Sequence, residues 1–149
     1  MTKDTVLFGA LSGIIGNIPK MIIGWIFHFL GLLRYTFEHI AAGYFVSLKY
    51  IDKPISLLIG FISDYILAGF FGVIMYIIIQ QYGKDFAVLK GVLFGGVTYF
   101  LFYGAFMALD MTRASLLTPL PNLLLLFPHI IYGGFTGWII KKFSLKQPT

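Results

Sequence analysis

Residues 55–79 read ISLLIGFISDYILAGFFGVIMYIII, an unbroken apolar run in which Asp64 is the one charged side chain. A helix needs about 20 apolar residues to cross a hydrocarbon core of roughly 30 Å, and this run exceeds that. Inside lipid no water satisfies backbone N–H and C=O groups, so a spanning segment is either a helix or a strand of a closed barrel. Barrel strands alternate polar and apolar side chains, and this run does not. Residues 55–79 therefore predict a transmembrane helix.

Three further blocks share this character: Val6 to Leu33, Ala87 to Leu109 and Asn122 to Ile140. The breaks between blocks are turn-like, with Asp52-Lys53-Pro54, Gln80 to Asp85 around Gly83, and Asp110 to Pro121. The expected fold is an all-α membrane protein with four transmembrane helices, over about 6–33, 55–79, 87–109 and 122–140, forming one domain across 1–149. Composition agrees. The 149 residues are 58% hydrophobic and 11% charged, against roughly 25% charged in a soluble domain. Too few charges exist to coat a globule. The net charge of +5 comes from scattered Lys and Arg, without a run or stripe interleaved with aromatics, which argues against nucleic acid. Cysteine is absent, so disulfides, thiolate nucleophiles and Cys-bound metals are excluded. The first block is longer than a signal h-region and has no small-x-small cleavage site, so it is expected to stay in the membrane.

Residues 35–51 differ from the rest. Phe37, Ile40, Ala41, Tyr44, Leu48 and Ile51 recur at three- and four-residue spacing, while Glu38, Ala42, Ser47 and Lys49 fall mostly on the other side. This pattern predicts an amphipathic helix between the first and second spans, lying in the membrane interface or capping the bundle. Within the first block, Pro19 removes a backbone donor and predicts a kink or break, with Asn17 near enough to satisfy a freed carbonyl.

Each span carries a small-xxx-small pair of the kind that lets helix backbones approach in lipid: Gly9/Gly13, Ala68/Gly72, Gly91/Gly95 and Gly133/Gly137. Packing within the chain and a homodimer seam both use such pairs. Orientation follows the Lys and Arg count. Lys3, Lys84, Lys90, Lys141, Lys142 and Lys146 fall on the side of the termini, and Arg34, Lys49, Lys53 and Arg113 on the other. Cytoplasmic termini are expected, with Trp138 as an interfacial anchor beside Lys141 and Lys142.

An ionisable side chain at the centre of a span costs roughly 2.5–3.5 kcal/mol on insertion scales, so each one needs a reason. Lys20, Asp64 and His129 are the three, and at about 1.5 Å of rise per residue they reach a similar membrane depth. They form the expected polar cluster, with Asn17 at the helix break and Thr98 and Tyr99 at a similar level. Pro19-Lys20-Met21-Ile22-Ile23-Gly24 also parallels Pro128-His129-Ile130-Ile131-Tyr132-Gly133, each with a basic residue after a proline and glycine four further on. Such pairs in inverted repeats mark transporter sites. A second polar set, His28, Arg34, Glu38 and His39, lies toward the other end. Adjacent Glu38 and His39 diverge on a helix, unlike an HExxH zinc site.

Phe8-Gly9-Ala10-Leu11-Ser12-Gly13-Ile14-Ile15-Gly16, Gly83 to Gly91 and His129 to Trp138 resemble small, uncharacterised four-helix membrane proteins of endospore-forming Gram-positive bacteria. The resemblance implies a multi-pass protein of the bacterial cytoplasmic membrane. Gly9 and Gly13 are also similar in kind to the first-helix contacts of the substrate-binding components of energy-coupling-factor vitamin transporters, a family with more helices than this chain has room for.

Two functions fit. One is binding or transport of a small solute or ion through Asn17, Lys20, Asp64 and His129. The other is a non-transporting structural or accessory subunit whose polar cluster only fixes helix packing. No phosphate loop, nucleophile elbow or paired-carboxylate motif is present, so neither enzymatic activity nor a cofactor or metal is expected. Expected partners are membrane lipid, an unidentified solute, and a second copy or a larger membrane complex.

Overall fold

A computed structural model describes residues 3–115 and 118–144. The described residues form helices and turns, without a strand. Their order is α1 (Lys3–Phe29), α2 (Phe37–Ala42), a 3₁₀ turn at Leu48–Tyr50, α3 (Pro54–Tyr82), α4 (Ala87–Thr98), a π-helical turn at Tyr99–Tyr103, α5 (Gly104–Ala108) and α6 (Pro119–Phe143). Four helices are long and apolar enough to cross a membrane: Thr5–Phe29, Pro54–Tyr82, Ala87–Ala108 and Pro119–Phe143. Lys146, counted above for orientation, lies outside the described residues.

Helix ends depart from the hydropathy blocks where turn chemistry intervenes. The first helix stops at Phe29, short of Leu33, because Gly31 adopts φ 73° and the N–H groups of Leu32 and Leu33 turn back to the Phe27 carbonyl. Pro54 and Pro119 sit in the first turns of α3 and α6, where a missing N–H costs nothing. The break expected at Pro19 is not there, and α1 runs through it. Just before it, Gly13 packs against α3 and Gly16 against Thr136 of α6, so that the helix is held between two neighbours.

The amphipathic stretch is not one helix over 35–51. It is the six-residue α2, a turn, and then the 3₁₀ turn. Competition for carbonyls explains the interruption. The Ile40 carbonyl accepts the Thr112 hydroxyl at 2.7 Å, and the Gly43 carbonyl accepts the Arg113 N–H at 3.1 Å. A continuing helix would have needed both. Every residue of α2 is buried, Glu38 and His39 included. Its backbone lies against α3 so closely that a Cβ on Gly60 would collide with the Glu38 carbonyl oxygen.

The small-residue pairs form two internal seams. Gly9 and Gly13 of α1 meet Ala68, Gly72 and Val73 of α3, while Gly91 and Gly95 of α4 meet His129 and Gly133 of α6. Gly137 continues the second seam against the Ala87 carbonyl. Helix α1 also packs on α6, which joins the two pairs. The fourth side, between α3 and α4, closes loosely through Phe71, whose ring lies 6.1 Å from Phe94 and 4.8 Å from Phe102. The remaining gap on that side is where the polar residues collect.

Candidate functional site

Helix α1 delivers Lys20 and Asn17 to the face that α3 covers, one turn apart on the same side. Asp64 comes from α3. The Lys20 ammonium donates to both Asp64 carboxylate oxygens, at 2.7 Å to Oδ1 and 2.9 Å to Oδ2, and Asn17 Nδ2 donates to Oδ2 at 2.7 Å. The side chains of Lys20 and Asp64 are 7% and 12% exposed. A carboxylate in a span thus has a counter-charge and three hydrogen bonds, which is what its burial requires. Asn17 serves the carboxylate rather than the backbone carbonyl expected near Pro19. Its Oδ1 is buried with no hydrogen-bond partner among the described residues.

These residues form the floor of a cavity of about 590 Å³. His129 lines the same cavity without bonding to the ion pair. Its Nδ1 lies 2.7 Å from the Leu125 carbonyl, which can only accept, so the proton sits on Nδ1 and Nε2 is left as the second polar atom of the ring. Phe37, Tyr99 and Tyr103 surround the imidazole at 5.3, 5.3 and 5.9 Å between ring centres. Phe37 also lies under the Lys20 ammonium, 4.5 Å from its ring centre. Of the two residues expected at this level, Thr98 lines the cavity, with its hydroxyl turned back to the Gly95 carbonyl at 2.8 Å. Tyr99 turns away to hydrogen-bond the Asn122 carbonyl.

The roof comes from the stretch between the first two spans. Phe37, Ile40, Ala41 and Tyr44, the apolar stripe of the 35–51 stretch, face this cavity. Burial, and secondarily the Asp64 charge, pushes the Tyr44 phenol up to about 12, so it stays protonated and able to donate. The periodicity of that stripe left two placements open, the membrane interface or a cap on the bundle, and these four residues face the cavity. Tyr132 was missed. It lines the wall and ties α6 to α3 through its hydroxyl, which donates to the Ala68 carbonyl at 2.7 Å.

No protein-family profile, curated protein or solved structure matches this chain.

Two members of the second polar set, Glu38 and His39, anchor a hydrogen-bonded network at the start of α2. Trp25 Nε1 and the Thr36 hydroxyl each donate to Glu38, both at 2.6 Å. The Thr36 N–H donates to His39 Nδ1 at 3.2 Å, forming a capping box at the start of α2, while His39 Nε2 reaches Asp52 at 3.3 Å. His28 donates from Nδ1 to the Leu33 carbonyl at 2.9 Å. Arg34 is apart from these, with its guanidinium 5.2 Å from the Tyr35 ring. Among the described residues, no three or more of His, Asp and Glu are grouped to hold a metal ion.

Proposed function

We propose that this chain is a multi-pass protein of the bacterial cytoplasmic membrane that binds and translocates a small solute at Asn17, Lys20, Asp64 and His129. The observation that carries this reading is the cavity of about 590 Å³ whose floor is the ion pair. A pair that served only to lock two helices would be expected under close-packed side chains, since protein interiors leave few voids larger than a water molecule. Pockets that hold small molecules fall in this size range and are mostly apolar with a few convergent polar groups. Of the cavity's boundaries, α2 supplies the roof, consistent with a segment at the membrane interface over the site.

The cytoplasmic-membrane location rests on the resemblance of the Gly-rich segments described above. Termini facing the cytoplasm fit the excess of Lys on their side. Lys84, whose ammonium reaches the Ser144 carbonyl at 3.0 Å, brings the α3–α4 turn to the end of α6 at that same side. In this orientation the cavity lies nearer the outer face.

One observation favours a second reading, a structural or accessory subunit. The Lys20–Asp64 contact is bidentate and nearly buried, as a packing lock would be. Occupancy separates the two. The chain has no cysteine, so Ser63→Cys gives one thiol on the cavity wall. A solute site should leave that thiol reactive toward a small membrane-permeant maleimide in liposomes. Gently extracted protein should also carry a small-molecule adduct by native mass spectrometry, and Ser63→Phe should remove it. An unreactive thiol in the Ser63→Cys variant, together with identical wild-type and Ser63→Phe spectra, would leave the accessory reading in its place.

A further inference from the structure

We propose that the ligand of this cavity is a neutral amphiphile, with a head group that both donates and accepts a hydrogen bond on a hydrocarbon body, and that it reaches the site sideways from the bilayer. This rests on the solute-binding reading above and names its ligand class.

Access comes from the loosely closed side. Ile66 and Phe70 of α3 line the cavity and are also 68% and 56% exposed, and Phe102 across the gap is 41% exposed. Ala68, the middle residue of α3, stands between the first two. The opening is therefore at mid-span, where the surroundings are hydrocarbon rather than water. Anything that enters there must already be dissolved in the bilayer.

Charge sets the head group. Lys20 and Asp64 carry the formal charges of the site, and they cancel. A charged head would enter uncompensated at a depth where a lone charge costs several kcal/mol. A neutral one meets both halves of its requirement. The Lys20 ammonium has three N–H donors and hydrogen-bonds only Asp64 among the described residues, with the Phe37 ring 4.5 Å from it. The Tyr44 phenol is a second donor. On the accepting side stands Asp64, held by Asn17 Nδ2 and 12% exposed at the floor. A hydroxyl satisfies both, while a hydrocarbon satisfies neither. The body then rests on the aromatic and aliphatic wall.

The test uses the full chain in phosphatidylcholine nanodiscs and a long-chain primary alcohol carrying a diazirine near its far end. After irradiation, labelled peptides are mapped, with 1-decanol, decanoate, decylammonium and decane as competitors. The expected result is labelling of the cavity segments 66–71 and 102–106, displaced by 1-decanol roughly tenfold more effectively than by the other three, the equivalent of about one satisfied hydrogen bond. Asn17→Leu and Tyr44→Phe should each shrink that advantage while leaving displacement by decane unchanged. Two variants guard against a misfolded one, with helicity and melting as controls. Equal displacement by decane overturns the head-group assignment and leaves solute binding intact. Strongest displacement by decanoate or decylammonium overturns neutrality. Labelling no greater at the cavity segments than at lipid-facing Leu93 and Leu123 overturns this proposal and the solute-binding reading together.

Discussion

Lys20 of α1 grips both carboxylate oxygens of Asp64 on α3, at 2.7 and 2.9 Å, between two helices long and apolar enough to cross a membrane. The contact joins two helices whose backbones approach closely at Gly9, Gly13 and Gly72, and it does so at the floor of a cavity. Its energetics therefore bear on both stability and binding.

Removing one partner strands the other charge, which in a buried pair costs about 3–5 kcal/mol, whereas replacing both with apolar groups is often near neutral. Lys20→Met and Asp64→Asn should each lower the unfolding free energy by about 3 kcal/mol, and the double variant should lose much less than the sum. Denaturant unfolding in detergent micelles measures all three. Simple additivity would mean that the two groups do not depend on one another.

The seam between α4 and α6 makes an equally sharp contrast between glycines. A Cβ on Gly133 would collide with the Gly91 carbonyl oxygen, a backbone atom that cannot swing aside, while one on Gly96 meets nothing within 4 Å. Gly133→Ala should force the helices apart and destabilise by about 2 kcal/mol or more, within the range of overpacked cores. Gly96→Ala should be neutral or stabilising by up to about 1 kcal/mol, since alanine is the better helix former. Melting temperatures of the two variants should move in opposite directions or differ by several degrees.

The spans were legible because hydrocarbon imposes one rule on a long stretch, and 55–79 obeys it everywhere but at Asp64. The glycine pairs were legible for a related reason, since small residues four apart have little use in lipid except close approach. Lys20 and Asp64 could be matched by depth, because an ion in a span needs a partner at its own level, whereas Asn17 was read for the helix break and serves the carboxylate instead. His129 shares their cavity but not their hydrogen bonds, and depth alone could not tell those apart. The 35–51 stretch misled for a physical reason. An apolar stripe looks the same whether it faces lipid or the interior of the bundle, and the Thr112 and Arg113 contacts that interrupt its helix come from about 70 residues away in sequence. Glu38 was harder still, because its partner Trp25 lies 13 residues away on another helix and belongs to no motif.

His39 makes stability depend on pH in a definite direction. Burial holds its imidazole below the ordinary value, with the His28 charge acting the same way and Asp52 and Glu38 opposing. The unfolded chain thus binds the proton more readily than the folded one. The stabilisation is fully present above the ordinary histidine value of about 6.5 and drains away as pH falls from there toward the folded-state value. The melting temperature should drop between about pH 7.5 and 5. His39→Gln should flatten that dependence while keeping the helix start, because glutamine at this position can still accept the Thr36 N–H. An unchanged slope in His39→Gln would assign the effect to other groups.

The π-helical turn at Tyr99–Tyr103 admits a test of what shapes the cavity wall. One extra residue in the turn lets Tyr99 and Tyr103 stack, 5.1 Å between centres and 15° between planes, and lets Tyr103 reach Asn122 Oδ1 at 3.1 Å. Such bulges recur at functional sites because they re-aim the residues that follow. Leu101 is 64% exposed and contributes no wall. Deleting it should restore the α-helical pitch and rotate everything beyond by about 100°, one residue's share of a turn. Phe102 and Phe106 would then swing off the cavity and the Tyr103–Asn122 bond would break. Far-UV helicity should persist, since the span keeps its length and apolarity. The small-molecule adduct expected in native mass spectra should disappear, while Leu101→Ala, which keeps the bulge, should retain it. A deletion variant that still held the adduct would show that the wall is set by α3 and α2 alone, with the extra residue serving only the α4–α6 contact.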